Sequence, residues 1–207
     1  MKQKLKIALQ MDPLEKLDLR GDTTFLLGLE AIKRGFDVFF YTPKDLIYKN
    51  NLVYANAKIL YLAFKNEKET FSYGQTKILK LSSFDVILMR QDPPFNMSYI
   101  TATHILEKIS SKTLVLNNPF HVRNAPEKIF VTEFSKFMPE TLITRDPDEI
   151  IKFKKKNKNI IMKPLYGNGG EGVFYIKEND SNFNVILENF LNLNEEQFII
   201  QRYIPEV

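Results

Sequence analysis

Two periods of apolar residues alternate along this chain, and their order predicts its architecture. Residues 5–11 form a short apolar run closed by Asp12-Pro13, and residues 23–34 place Phe25, Leu26, Leu29 and Ile32 at helical spacing before Gly35. Strand, loop, helix and glycine stop follow in turn. Residues 37–41 read as a second strand, and Asn50-Asn51, between the runs 46–48 and 52–54, predicts a hairpin. Residues 65–82 are polar and poorly periodic, so a loop is expected there. Residues 84–90 are almost continuously apolar, as in a strand buried on both faces. Gln91-Asp92-Pro93-Pro94 follows, then a helix from about residue 98 to 110 and a strand over 113–116. Such alternation predicts an open, mainly parallel sheet, with ligands beyond the carboxyl ends of its strands, where Asp12-Pro13 and residues 90–94 fall.

After Asn117-Asn118-Pro119 the rhythm changes. A helix is expected near residues 126–134, a strand at 141–144 and a helix over 147–156. Asp146 stands as the cap of that helix, with Pro147 in its first turn and Glu149 three residues past the cap, a capping-box arrangement. Strands at 159–164 and 173–176, a helix near 184–193 and a strand at 197–203 complete the chain. The expected domains are residues 1–121 and 122–207, with no internal repeat.

With 207 residues, 44% of them hydrophobic, the chain can build a sizeable core. Its net charge of +4 is a mild bias, and the one dense basic run, residues 152–158, has the spacing of a solvated helix face, so nucleic acid is not an expected partner. The absence of cysteine excludes disulfides, thiolate catalysis and cysteine-ligated metals, and agrees with a reducing cytosol. The N-terminal apolar run is too short for a signal peptide and no stretch approaches a membrane span, so a cytoplasmic protein is expected.

The chemistry concentrates in residues 160–173, IIMKPLYGNGGEGV, where four of the eight glycines fall within six positions. Missing side chains there let backbone N–H groups close on phosphate oxygens. Gly167, Gly169 and Gly172 formally match the dinucleotide fingerprint, but that fingerprint opens a helix, whereas Val173-Phe174-Tyr175-Ile176 reads as strand. The phosphate-loop ending Gly-Lys-Ser/Thr is absent. A glycine-rich loop between two strands is instead a flap over a triphosphate, as in kinases and ATP-grasp enzymes. Kinases carry their lysine after the glycines, with further motifs missing here; Lys163 precedes the loop on its own strand. For Lys128, local sequence supports only an exposed helix lysine.

These residues resemble the bacterial-type glutathione synthetases of the ATP-grasp superfamily, and the resemblance runs along the whole chain. It is carried by Met11-Asp12-Pro13, Asp22-Thr23-Thr24-Phe25, residues 85–95, residues 124–130, Pro139-Glu140-Thr141-Leu142, the Lys163 flap and residues 201–205. Residues 90–95 mark the family and the flap marks the superfamily. The resemblance implies an α/β chain: an N-terminal open, mainly parallel sheet domain (pre-ATP-grasp), then the small α+β lobe of an ATP-grasp fold, with the C-terminal lobe outside these residues. It implies ATP-dependent joining of γ-glutamylcysteine and glycine through an acyl phosphate, giving glutathione, ADP and phosphate. Lys128 and Lys163 would meet nucleotide phosphates, with Lys163 and Arg90 catalytic. Gly167, Asn168, Gly169, Gly170 and Gly172 would form the flap, and Gln201, Tyr203 and Ile204 the hinge against adenine. Asp12, Arg90 and Asp92 would bind the peptide substrate. Read locally, Arg90 could instead pair with Asp92 to stiffen the loop, and Asp12 could be a simple Asp-Pro turn. His104 and His121 are expected in structural or surface roles. Mg²⁺ ligands are expected beyond residue 207, so the chain alone is expected to be inactive; the complete protein is expected to be a homo-oligomer. The alternatives are another ATP-grasp carboxylate-amine ligase, such as one joining D-alanine or adding glutamate, and a non-catalytic nucleotide-binding or assembly module.

Overall fold

The computed structural model describes residues 4–65, 68–167, 169–193 and 195–206, and the chain divides into two compact units, Met1–Asn124 and Ala125–Val207. In the first unit β1 (Lys6–Gln10) lies at the centre of a sheet, parallel to β2 (Asp37–Tyr41) on one side and to β6 (Val86–Met89) on the other. β7 (Leu114–Leu116) extends the parallel set beyond β6. Beyond β2 the sheet turns antiparallel: β4 (Leu52–Lys65) pairs with β2, with β3 (Leu46–Lys49) and with β5 (Lys68–Lys80).

Successive side chains of a strand point to opposite faces, and β1 uses both. Ala8 joins a core with Ile87, Leu106 and Val115, while Ile7 and Leu9 join Phe25, Leu29 and Phe40 on the other side. The second core is closed by α1 (Thr23–Lys33), whose first turn is capped by Asp22, its carboxylate accepting the Phe25 N–H at 2.6 Å. Gly35 ends that helix at φ +83°, where a Cβ would be strained. The first core is closed by α2 (Met97–Glu107), capped by Asn96. In the hairpin, Asn50 and Asn51 both take positive φ, as a two-residue turn matched to strand twist requires.

Several expectations change. Residues 68–80 are a strand, not a loop: β5 satisfies its backbone against β4 with one register shift between Lys58 and Leu60, and its mixed exposure leaves little hydrophobic period to read. The helix expected near 126–134 is one α turn, α4 (Glu127–Phe130), running into a 3₁₀ segment, Val131–Phe137, with non-helical dihedrals at Phe134. An unforeseen helix, α3 (Pro119–Asn124), precedes it.

The second unit is a four-stranded antiparallel sheet in the order β10 (Phe174–Ile176), β9 (Ile160–Pro164), β11 (Phe198–Arg202), β8 (Thr141–Thr144). Two helices, α5 (Pro147–Asn157) and α6 (Phe183–Leu193), supply Ile150, Phe153, Leu187 and Phe190 to a core with Ile160, Met162, Phe198 and Ile200. Asp146 caps α5 by accepting the N–H groups of Asp148 and Glu149, but the reciprocal half of the capping box does not form. The Asp146 N–H donates to the Thr144 hydroxyl, and Glu149 pairs with Lys152 instead.

Candidate functional site

In the second unit the helices occupy one face of the sheet, so strand alternation assigns the residues of the other. Ile160 and Met162 point into the core; Ile161 and Lys163 therefore point away from it. Register places Lys163 opposite Ile199, and Ile161 opposite both Gln201 and Tyr175, so these side chains share the face turned from α5 and α6. Lys163 is half-buried, and among the described residues its ammonium has no hydrogen-bond or ion-pair partner. Gln201 is tethered, its amide donating to the Thr141 hydroxyl at 3.0 Å. The Tyr203 ring stacks on Tyr175 with centroids 4.3 Å apart. The Tyr203 N–H is taken by the Asn159 carbonyl at 3.0 Å, whereas the Ile204 N–H has no partner among the described residues.

The glycine loop joins the antiparallel strands β9 and β10, which makes it a hairpin loop rather than the entrance to a helix. Gly169, Gly170 and Gly172 take positive φ. At Gly172 a Cβ would also stand 2.9 Å from Cγ and 3.1 Å from Cδ of Pro164, inside contact with a rigid ring. Only glycine suits that position. Asn168 lies outside the described residues. Lys128, from α4, donates its ammonium to the carbonyls of Pro164, at 2.8 Å, and Gly167, tying α4 to the base of the loop. Burial lowers the Lys128 pKa; Glu127 opposes the shift and Lys163 adds to it, so the two ammonium groups feel one another. A cleft of about 400 Å³ also opens beside the loop, lined by Gly167, Gly172, Glu171 and Glu196. With two carboxylates and no lysine among its lining residues it is ill suited to a triphosphate.

In the first unit the carboxyl ends of β1 and β6 bring the other candidates together. The Arg90 N–H donates to the Gln10 carbonyl at 2.7 Å, and the Asp92 N–H to the Asp12 carboxylate at 2.7 Å. Asp12 is thus more than a turn former: it holds the loop after β6. The Arg90 guanidinium does not hydrogen-bond Asp92. Its Nε donates to the Thr24 hydroxyl at 3.1 Å and its Nη2 to the Thr23 hydroxyl at 2.8 Å, both in the first turn of α1. Those contacts fill one edge of the guanidinium and leave Nη1 without a hydrogen bond among the described residues. Partial desolvation raises the pKa of the otherwise exposed Asp92, helped by Asp12 and Asp22 and opposed by Arg90. A cleft of about 260 Å³ beside these groups is lined by Asp12, Lys16, Lys44, Gln91, Asp92 and Tyr99.

Sequence reading assigned no role to Thr23, Thr24, Gln10 or Tyr175. The visible signals were a polar Gln10 ending an otherwise apolar strand and the place of Thr23 and Thr24 in the Asp22-Thr23-Thr24-Phe25 stretch. Among the described residues no group of three His, Cys, Asp or Glu could hold a metal ion. No helix among them is long and apolar enough to cross a membrane.

The sequence model of the prokaryotic glutathione synthetase N-terminal domain matches residues 5–123, and that of the prokaryotic glutathione synthetase ATP-grasp domain matches residues 127–207. Glutathione synthetase of Mesorhizobium japonicum is 51% identical over 99% of this chain and 65% of its own length. That of Brucella melitensis is 50% identical over 98% of this chain and 65% of its own length. The chain therefore spans about 65% of these relatives. Among solved structures, an ATP-grasp RimK domain protein of Sphaerobacter thermophilus is 15% identical and superposes with a TM-score of 0.61, covering 97% of this chain and 64% of that one, a likeness of fold. Two matched domains in series and relatives at half identity lead to one statement: the chain belongs to the prokaryotic glutathione synthetase family.

Proposed function

We propose that this chain forms the substrate domain, near residues 1–121, and the small ATP-grasp lobe, near 122–207, of a glutathione synthetase. The complete protein would join γ-glutamylcysteine to glycine at the expense of ATP. The terminal phosphoryl group passes to the cysteinyl carboxylate, ADP leaves, and the glycine amine attacks the acyl carbon with loss of phosphate and a proton. A carboxylate is a poor electrophile, and phosphorylation supplies the leaving group it lacks. Mg²⁺, held by residues beyond 207, would offset phosphate charge when bound. The observation that carries the reading is a pair of lysines at a glycine loop, Lys163 on the strand that leads into it and Lys128 bonded to the carbonyls of Pro164 and Gly167 at its base, in a chain of this family.

Within that reading Lys163 neutralises charge on the transferring group. The N–H groups of Gly167, Asn168, Gly169, Gly170 and Gly172 close over the phosphates and exclude water from the acyl phosphate. Gln201, Tyr203 and Ile204 receive adenine, with Ile204 offering its unpartnered N–H. Arg90 binds a substrate carboxylate through its free edge, and Asp12 and Asp92 shape the peptide site. The protein acts in the cytoplasm as a homo-oligomer.

The test supplies ATP, Mg²⁺, γ-glutamylcysteine and glycine to the full-length encoded protein and measures phosphate release with glutathione formation. Turnover of this pair is expected. Turnover of another amino-acid pair alone points to a different carboxylate-amine ligase, and nucleotide binding without release to a non-catalytic module.

A further inference from the structure

Gln10 is fully buried at the end of the central strand, between Leu9 and Met11 and in register with Tyr41 and Met89 of its neighbours. A buried carboxamide is costly unless its groups are paired. Gln10 is only half paired: its Nε2 donates to the Gln91 Oε1, while its own Oε1 has no partner. Reversing both carboxamides would bury unpartnered N–H donors in place of one carbonyl oxygen, the less tolerated outcome. Gln10 therefore donates, and stability does not explain its presence. What the bond does fix is Gln91. With its oxygen turned to Gln10, Gln91 has an NH₂ that makes no hydrogen bond to the described residues, on a side chain lining the cleft beside Asp12, Lys16 and Asp92. That cleft carries both signs of charge, which suits a zwitterionic peptide, and Gln91 is a neutral donor within it, suited to an uncharged oxygen.

We propose that Gln91 is a specificity-determining residue that donates to the amide carbonyl oxygen of γ-glutamylcysteine, and that Gln10 is the positioning residue behind it. The inference rests on the ligase reading above, which places the dipeptide in this cleft.

The test is steady-state kinetics of the full-length protein with Gln91→Leu, Gln10→Leu and the double variant. Gln91→Leu is expected to raise KM for γ-glutamylcysteine about three- to tenfold, the loss of one neutral hydrogen bond, with KM for ATP unchanged. Gln10→Leu should do the same without lowering Tm, and in the Gln91→Leu background should add nothing. A merely structural Gln10 would lower Tm and leave the dipeptide KM alone, overturning its positioning role. A second readout does not depend on folding of variants: in ¹⁵N-labelled protein the Gln91 side-chain NH₂ resonances should shift when γ-glutamylcysteine is added. Dipeptide KM within twofold of the parent in Gln91→Leu, or resonances that do not move, overturns the proposal while the ligase reading stands. Failure of the unsubstituted protein to turn over γ-glutamylcysteine overturns that reading and this inference with it.

Discussion

Arg90 shows how neighbours decide what a charged side chain can offer. Two threonine hydroxyls hold its Nε and Nη2, so the plane of the guanidinium is set before any ligand arrives. A lysine would present one ammonium with no such plane. Arg90→Lys in the full-length protein should therefore raise KM for the dipeptide by about tenfold or more, on the scale of a lost charge-assisted bond, with KM for ATP nearly unchanged. Steady-state assays varying each substrate check this. At Asp92 the sign runs the other way from most carboxylates. Its folded-state pKa is raised by partial desolvation of an otherwise exposed group and by the charges of Asp12 and Asp22, so the folded chain binds its proton more tightly than the unfolded chain does. Stability is then lost as pH rises from the unfolded value through the folded one, and stays lost above it. Asp92→Asn should raise Tm at pH 7, and the gain should shrink as pH falls through that window. Thermal melts of both proteins across pH decide it. The place of Arg90 just after β6 and of Lys163 on β9 could be read from short motifs; the bond between Arg90 and Thr24 could not, because the two lie 66 residues apart.

The glycine loop depends on one crowded contact. At Gly172 positive φ coincides with the Pro164 ring, so neither backbone nor side-chain relaxation gives a methyl group room. Gly172→Ala should cost at least about 1 kcal/mol and weaken nucleotide binding, measurable by denaturant unfolding and by titration with ATP. Such a loop could be read from composition alone, because only glycine permits it. The capped helix α5 was equally plain, down to Asp146, although the reciprocal bond of its capping box lost to a hydroxyl and a lysine nearby. Strand β5 was hidden for a different reason. Its order comes from pairing with β4 along almost its whole length, and strand preference of this kind resides in the partner more than in the residues.

Each unit encloses its own core: two on the faces of the seven-stranded sheet, one beneath the four-stranded sheet. A cavity in one should stay local. Phe198→Ala, emptying a fully buried ring position, should cost about 3–5 kcal/mol. Amide exchange should speed up at residues 199–201 while protection at 87 and 88 persists. Alternating strands and helices made the α/β class legible, and the parallel core around β1 followed from it. Of the antiparallel extension beyond β2, the Asn50-Asn51 turn announced the pairing of β3 with β4, whereas the pairings of β4 with β2 and β5 are announced by no local run of residues. The stacked rings of Tyr175 and Tyr203 give the protein an optical property of its own. The chain contains nine tyrosines and no tryptophan, so tyrosine emission is not drained by an indole acceptor. Two phenols 4.3 Å apart couple electronically and shape the near-ultraviolet dichroism. If a purine settles beside that pair, the signal changes, and occupancy can be followed by light without attaching a dye.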